Sequence, residues 1–396
     1  MNARTTPVGP DEILRFDLPR VLRDADRFVG APVPHITDSV AEASEGGAHE
    51  YYSNGDYWWP NPETADGLPF VRRDGESYPG AFHDHRIAMR TVRRAVAVLS
   101  AAYLGTRDPR YAVEACRFAR EFFLDPKTAM RPHLQYAQAV PGVCNGRGTG
   151  IIDTLHVVEI PVAFMALASS TESGPGAAAD VAADVVAGIS ETFDGLRGWF
   201  TQYLNWMRTS PNGIEERDKL NNHAVAWTVQ TAVFSRFLDD PEAAAEARSR
   251  FTDLHIPDQM ADDGSFPLEL ERTKPYSYSL FNLDLLATIA HVLSDDAGDL
   301  WRFSTPDGRG MERAVAFMLR YVVEKSAWPF ARDVDHFDEI PIRQPFLVFG
   351  ALGLRDPSLY DVWRGLPAET PDKEIMRNLM YRAPVLWFGP ICRMCR

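Results

Sequence analysis

The chain has 396 residues, of which 45% are hydrophobic and 24% charged, with a net charge of −14. That is the composition of a globular protein with a sizeable core. The acidic balance argues against nucleic acid as a partner and admits a polyanion only where a basic cleft sits on the acidic body.

The opening stretch, MNARTTPVGPDEILRF, has no apolar core before a small-residue cleavage site, so no signal peptide is expected. No run of eighteen apolar residues is evident, so no membrane span or membrane partner is expected. Together these readings predict a cytoplasmic protein. Four cysteines at this length imply no disulfide framework. Cys392 and Cys395 make a C-x-x-C without a second pair, which falls short of a zinc site. Cys116 and Cys144 read as core or near-core thiols.

Residues 1–50 are turn-rich, with a short helix expected around Glu12 to Phe28. They are read as an N-terminal segment packing on a single domain that spans 51–396. EYYSNGDYWWPNPETADGLPFVRRDG is punctuated by Gly and Pro and excludes a long regular element. Helical periodicity then begins near His85. Ile87, Val92, Val96, Leu99 and Tyr103 fall near the 3.6 period, with arginines expected on the other face. The turn at Gly105–Pro109 ends this helix, and a second one stops at Asp125-Pro126, giving an antiparallel hairpin. Further helices are expected at 151–169, 177–207, 222–238, 242–252, 278–294 and 309–325. The breaker-rich connections between them include PGVCNGRGTG, TSPNGIEERDKL and MADDGSFPLELERTKPYS. β-signals are scarce and no strict-period repeat is visible. Successive helical hairpins predict an all-α fold, either a solenoid or a closed α/α toroid. Clusters of Asn, Arg, His and Trp on the loops favour the toroid with a cleft at one rim.

Asn221-Asn222-His223 lies where a loop meets a helix. One Asn serves as an N-cap, but two followed by His exceed what capping needs. About fifty residues on, ERTKPYSYS supplies Arg272, Tyr276 and Tyr278. A phenol with its ordinary pKa of about 10 is a poor base unless a cation stabilises its phenolate. Arg272 supplies that cation if the loop folds back. Amides, an imidazole, a guanidinium and a phenol together suit removal of a weakly acidic proton beside a carboxylate without a metal. In GDYWWPNP the flanking polar and breaker residues place Trp58 and Trp59 at the surface, as platforms for apolar faces of sugar rings. The alternating Gly146, Gly148 and Gly150 follow no strand signal, so they are not a dinucleotide loop. Arg147 between them either reaches an anion or sits in a tight connection. His83 and His85 share a face of an extended segment but lack a third ligand, so they read as structural.

In this order, several segments resemble the alginate lyase family of polysaccharide lyases, which fold as α/α toroids. They are DYWWPNP with GLPFVRRDG, EFFLDPKTAMRPHLQYAQAVPG with GRGTGIIDT, TQYLNWMRTSPNGIEE, NNH and DGSFPLELERTKPYSYSLFNLDLL. They span about residues 55–290. The resemblance implies an incomplete (α/α) toroid of antiparallel helical hairpins. It also implies β-elimination on an anionic oligo- or polysaccharide containing 4-O-linked uronate, with no metal or other cofactor. Asn222 and His223 match the pair that neutralises the carboxylate and handles the proton, Arg272 the cation beside the catalytic tyrosine, and Tyr278 that tyrosine. Tyr57, Trp58, Trp59, Gln138 and Arg147 are expected to contact substrate, with Asn221 and Tyr276 as further contacts. The sequence departs from the family pattern at Ala224–Trp227, where relatives often carry a glycine or serine and an aromatic or polar run. Tyr276 offers a second candidate phenol, and the absence of a signal peptide is unusual for a polymer-degrading lyase. Two other enzyme readings compete: elimination on a small biosynthetic intermediate, and glycoside hydrolysis by two carboxylates from Asp56, Glu215, Glu216 and Glu269. A degenerate carbohydrate-binding protein is a further alternative.

Overall fold

A computed structural model describes residues 9–172 and 183–395. The chain divides into two compact units, one made of Ile13–Glu216 with Arg382–Ile391, the other built on Arg217–Tyr381. This differs from the expected single domain over 51–396 with 1–50 appended. The break falls between Glu216 and Arg217, and the residues from Ile13 to 50 join the first unit.

The first unit begins with α1 (Pro10–Ala25), which buries Ile13, Val21 and Ala25. Its buried Asp17 is neutralised by Arg20, and its buried Asp24 pairs with Arg94. Strands β1 (Tyr52–Asn54), β2 (Trp58–Trp59) and β3 (Val71–Arg72) follow, and then α2 (Asp84–Thr106) and α3 (Pro109–Phe123). Every α2 residue from Ala95 to Tyr103 is buried, which makes it the central helix of the unit. The expected exposed arginine face is only partly realised: Arg86 is 4% and Arg93 1% exposed, whereas Ile87 is 53% exposed. Carboxylates explain the inversion, with half-buried Asp56 and buried Asp153 at Arg86 and buried Glu159 at Arg93. A guanidinium tolerates burial when it is paired in this way. Strand β4 (Tyr136–Ala139) pairs with β1 in parallel, and β2 with β3 antiparallel.

The segment expected as helix 151–169 starts as a 3₁₀ stretch at Gly148–Val158 and continues as α4 (Glu159–Glu172). Gly148–Thr171 is long and apolar enough by length and composition to cross a membrane, though Asp153 and Glu159 interrupt it, and 83% of its apolar window is buried in the fold. Helix α5 (Ala183–Thr209) realises the helix expected from 177, whose first residues lie outside the described ones. The connection TSPNGIEERDKL holds α6 (Pro211–Arg217) rather than a plain loop. The Glu159 carboxylate accepts from the amides of Arg382 and Ala383 at 2.6 and 2.9 Å, which pins the 382–391 segment to this unit.

The second unit contains α7 (Asn222–Leu238), α8 (Pro241–Arg250), the short α9 (Ile256–Gln259) and α10 (Pro267–Leu270), then α11 (Pro275–Leu293), α12 (Met311–Val323), α13 (Pro345–Gly353) and α14 (Pro357–Gly365). α7 and α11 pack together and are buried almost all round, as near-continuous apolar sequence demands. α8, α12 and α13 pack around this pair.

One local device builds a hairpin three times. Arg107, Asp239 and Arg355 each adopt a left-handed backbone, with φ of 60°, 57° and 58°. An Asp follows each of them and caps the next helix: Asp108 from the amide of Arg110, Asp240 from Ala243 and Asp356 from Ser358. Proline then occupies the first helical turn, where its missing N–H costs nothing. The chain therefore reverses between α2 and α3, α7 and α8, and α13 and α14.

Candidate active site

In the second unit, Asn221 is the N-cap of α7, and its side-chain oxygen accepts from the His223 amide at 3.4 Å. This is the capping role that one Asn of the pair was expected to fill. Asn222 follows and is 2% exposed. Its backbone N–H donates to Glu269 Oε1 at 2.9 Å and its Nδ2 donates to Glu269 Oε2 at 2.6 Å. His223 is half-buried at the next position.

Glu269 sits on α10 and is 1% exposed. Burial pushes its carboxyl above the usual range, while the two bonds from Asn222 and the charges of Arg272 and His223 pull it back down. The Arg272 amide in turn donates to the Glu269 carbonyl at 3.2 Å, closing the turn that leads into α11. From there the Arg272 guanidinium folds back over the Tyr278 ring, 4.4 Å from its centroid. This is a cation–π contact on the face of the ring.

The two tyrosines of α11 divide sharply. Tyr278 lies in the first turn and is half-buried, whereas Tyr276 is fully buried. The Tyr276 hydroxyl donates to the Tyr321 carbonyl at 3.1 Å, and its ring meets Trp328 and Phe337 edge-on at 5.0 and 5.5 Å. Burial, with Asp333 close by, raises its phenol further from the neutral range. Tyr276 is therefore a core residue, which removes it as a substrate contact and as a rival base. Asp333 accepts from the amides of Tyr276 and Ser277 at 2.8 and 3.0 Å and so caps α11.

The first unit holds the other expected residues. On β2, Trp58 lies under the Arg147 guanidinium, 5.6 Å from centroid to carbon. Trp59 is covered by Arg73 at 4.6 Å and donates its indole N–H to the Glu76 carbonyl at 3.0 Å. Both indoles are half-buried, as is Tyr57, whose carbonyl accepts from the Arg73 amide at 2.8 Å. Gln138 does not face solvent as a ligand contact would. It is 7% exposed and held at φ 49°. Its Nε2 donates to Asp153 Oδ1 at 3.2 Å, while its Oε1 and backbone carbonyl accept from Arg147 at 3.0 and 3.1 Å. Gln138 thus aims Arg147 rather than touching substrate. Tyr51, Ser53 and Arg86 donate to the other Asp153 oxygen at 3.0, 2.6 and 3.1 Å, which makes Asp153 the anchor of this chain.

The glycines beside Arg147 serve packing. A Cβ on Gly146 would stand 2.0 Å from the Gln135 carbonyl, and one on Gly150 2.5 Å from Ala137 Cβ. His85 accepts from the Tyr52 amide at 3.0 Å and lies 3.1 Å from the Ser39 carbonyl, a structural role as expected.

The four carboxylates of the hydrolase reading are all placed structurally. Asp56 pairs with Arg86, Glu215 accepts from the Gly148 amide at 3.0 Å, Glu216 is fully buried and Glu269 holds Asn222. Sequence reasoning did not assign Glu269 to the Asn222 site or notice Asp333 at all. The signal for Glu269 was an acidic residue set inside the apolar stretch FPLEL, an environment that calls for a buried partner.

The chain as a whole resembles known proteins. A family model described as alginate lyase matches residues 35–328. Among solved structures, an alginate lyase from Bacteroides ovatus is 30% identical with a TM-score of 0.77, and 94% of each chain is covered. Alginate lyase A1-III from Sphingomonas species A1 is 16% identical with a TM-score of 0.48 over 89% of each chain. A variant of A1-III complexed with a tetrasaccharide is 15% identical with a TM-score of 0.47 over 84% of each chain. No curated protein sequence matches. The fold class is the all-α toroid of helical hairpins expected from the sequence.

Proposed function

The chain belongs to the alginate lyase family, and from that premise we propose that it cleaves 4-O-linked uronate in an anionic polysaccharide or oligosaccharide by β-elimination. The observation that carries the reading is Asn222, next to His223, bonded twice to Glu269, whose carbonyl accepts from the Arg272 amide, with Arg272 stacked 4.4 Å from the Tyr278 ring. The Asn222 amide, His223 and Arg272 neutralise the uronate carboxylate. Neutralisation lets the C5 proton leave without two negative charges accumulating on adjacent atoms. A base takes that proton, its electron pair forms the C4=C5 double bond, the C4–O bond breaks, and an acid protonates the departing oxygen. Where the C5 hydrogen and the leaving oxygen lie on one side of the ring, Tyr278 performs both transfers. Where they lie on opposite sides, His223 is the base and Tyr278 the acid. In the first unit, Trp58 with Arg147 above it offers an apolar ring and a cation, a pairing suited to an anionic sugar.

The test is incubation of the protein with alginate, glucuronan and related oligouronates while the ultraviolet absorbance of unsaturated uronate is followed. Product with a new double bond is expected. A folded protein silent across the whole panel overturns the polymer-lyase reading in favour of a small-molecule substrate, and reducing ends released without unsaturation indicate hydrolysis.

A further inference from the structure

We propose that Glu269 is a positioning residue for this elimination, acting through Asn222. The inference rests on the lyase reading of the same site. A carboxylate has acceptor sites on both oxygens, and Glu269 uses one for the Asn222 backbone N–H at 2.9 Å and the other for its Nδ2 at 2.6 Å. The two bonds cannot both be kept if the group is neutral, because a carboxylic O–H or a glutamine NH₂ would face one of the two donors. Two bonds to one residue fix its backbone and its carboxamide together, in surroundings where Glu269 is 1% and Asn222 2% exposed. The amide is thereby oriented before substrate arrives, and the second Nδ2 hydrogen remains for the uronate carboxylate. Preorganised donors of this kind avoid reorganisation as charge develops in the transition state.

Glu269 also ties this amide to the rest of the set. Its carbonyl accepts from Arg272, three residues along, and its side chain interacts with the charges of Arg272 and His223. One residue thereby locks the start of α7 to the turn that carries the cation for Tyr278. A purely structural role, sealing the first amide of α7, is the alternative. The two roles differ in whether the effect of Glu269 runs through the side chain of Asn222.

The experiment is a cycle of Glu269→Gln, Asn222→Ala and the double variant. kcat and KM are measured on whichever uronate the wild type cleaves, and amide-resolved NMR is recorded on the substrate-free proteins. Glu269→Gln is expected to lower kcat by roughly 10- to 100-fold, the scale of an ångström-sized misplacement. KM should change far less. In the Asn222→Ala background the same substitution should cost about twofold or less, because the group it positions is gone. The Asn222 carboxamide signals should move in Glu269→Gln. An equal fold loss in both backgrounds, or an unchanged kcat, overturns the proposal. If Glu269→Gln does not fold, Glu269→Asp replaces it in the cycle, since its shorter carboxylate keeps the charge but cannot span both donors. If the wild type cleaves no uronate, the lyase reading fails separately, and the NMR comparison decides the positioning: unmoved Asn222 signals refute it.

Discussion

The paired substitutions Tyr278→Phe and Tyr276→Phe should produce opposite signatures, because the same lost oxygen does different work at the two positions. At Tyr278 the ring is half-buried under Arg272, and replacement by Phe keeps that stack. Only the proton-handling oxygen is lost, a contribution of about 10²–10⁴ in rate. At about 1.4 kcal/mol per decade that is roughly 3–5 kcal/mol of barrier. Stability should shift by no more than about 0.5 kcal/mol, as for other partly exposed sites. At Tyr276 the hydroxyl bonds the Tyr321 carbonyl at 3.1 Å in a fully buried setting, so its loss should cost about 1 kcal/mol of stability. The ring retains its contacts with Trp328 and Phe337, so kcat should remain within about twofold of wild type. Product absorbance gives the rates and urea melts give the stabilities. Full activity in Tyr278→Phe, or an equal loss of kcat in Tyr276→Phe, refutes the division of roles.

Three further outcomes follow from the geometry. Arg272→Lys keeps the charge but loses the planar group 4.4 Å from the Tyr278 ring, so kcat should fall by about tenfold or more; wild-type kinetics would show that charge alone suffices. Gln138→Ala removes the side-chain acceptor that helps aim Arg147, and should raise KM for an oligouronate by about tenfold with kcat little changed. Asp284 is 1% exposed, its carboxylate accepts from the Phe346 amide at 2.9 Å, and burial lifts its folded pKa well above the unfolded value of 3.8. Because the folded state holds that proton more tightly, the stability it contributes is full below the unfolded pKa and is lost as pH rises through the folded one. Asp284→Asn keeps the acceptor and cannot ionise, so its advantage in urea melts should be absent at acid pH and open to about 1–3 kcal/mol as Asp284 ionises. A pH-independent difference would contradict this.

How much of this was legible in sequence depended on whether the signal was local. Asn222–Leu238 coincides with its expected boundaries because Asn221 is a capping residue next to an apolar run. The pairs Asp108-Pro109 and Asp240-Pro241 flanked expected helices for the same reason. Asp356-Pro357 carries an identical start signal before α14, yet α13 and α14 went unread because PFLVFGALG is too short and uniformly apolar to show a period. The arginines of α2 were assigned to solvent from periodicity alone. Their buried partners, Asp153 and Glu159, lie 67 and 66 residues away along the chain. Residue type alone left Asn222, His223, Arg272 and Tyr278 with a capping or packing alternative, and the resemblance to the alginate lyase family assigned them as a set. Choosing between Tyr276 and Tyr278 required knowing which of them Trp328 and Phe337 enclose.

The electrostatics of the second unit explain why side chains, rather than helix ends, must meet the substrate's charge. The N-termini of α7 and α11 would each ordinarily attract an anion. Here the protein fills both with its own carboxylates: Glu269 takes the Asn222 amide, and Asp333 takes those of Tyr276 and Ser277. The partial positive charge of each helix is therefore already answered before any uronate arrives. Glu269 adds a negative charge, and Arg272 is the fixed cation three residues along the same turn. Beyond roughly 8 Å at physiological salt, the acidic surface of a chain with net charge −14 is largely screened and contributes little to this balance. On the proposed reading, what is left to meet a second carboxylate is the oriented Asn222 amide together with the Arg272 guanidinium and the His223 imidazole as hydrogen-bond donors. That arrangement depends on Glu269 holding the amide in place, and it is why a net-acidic protein can still serve an anionic sugar.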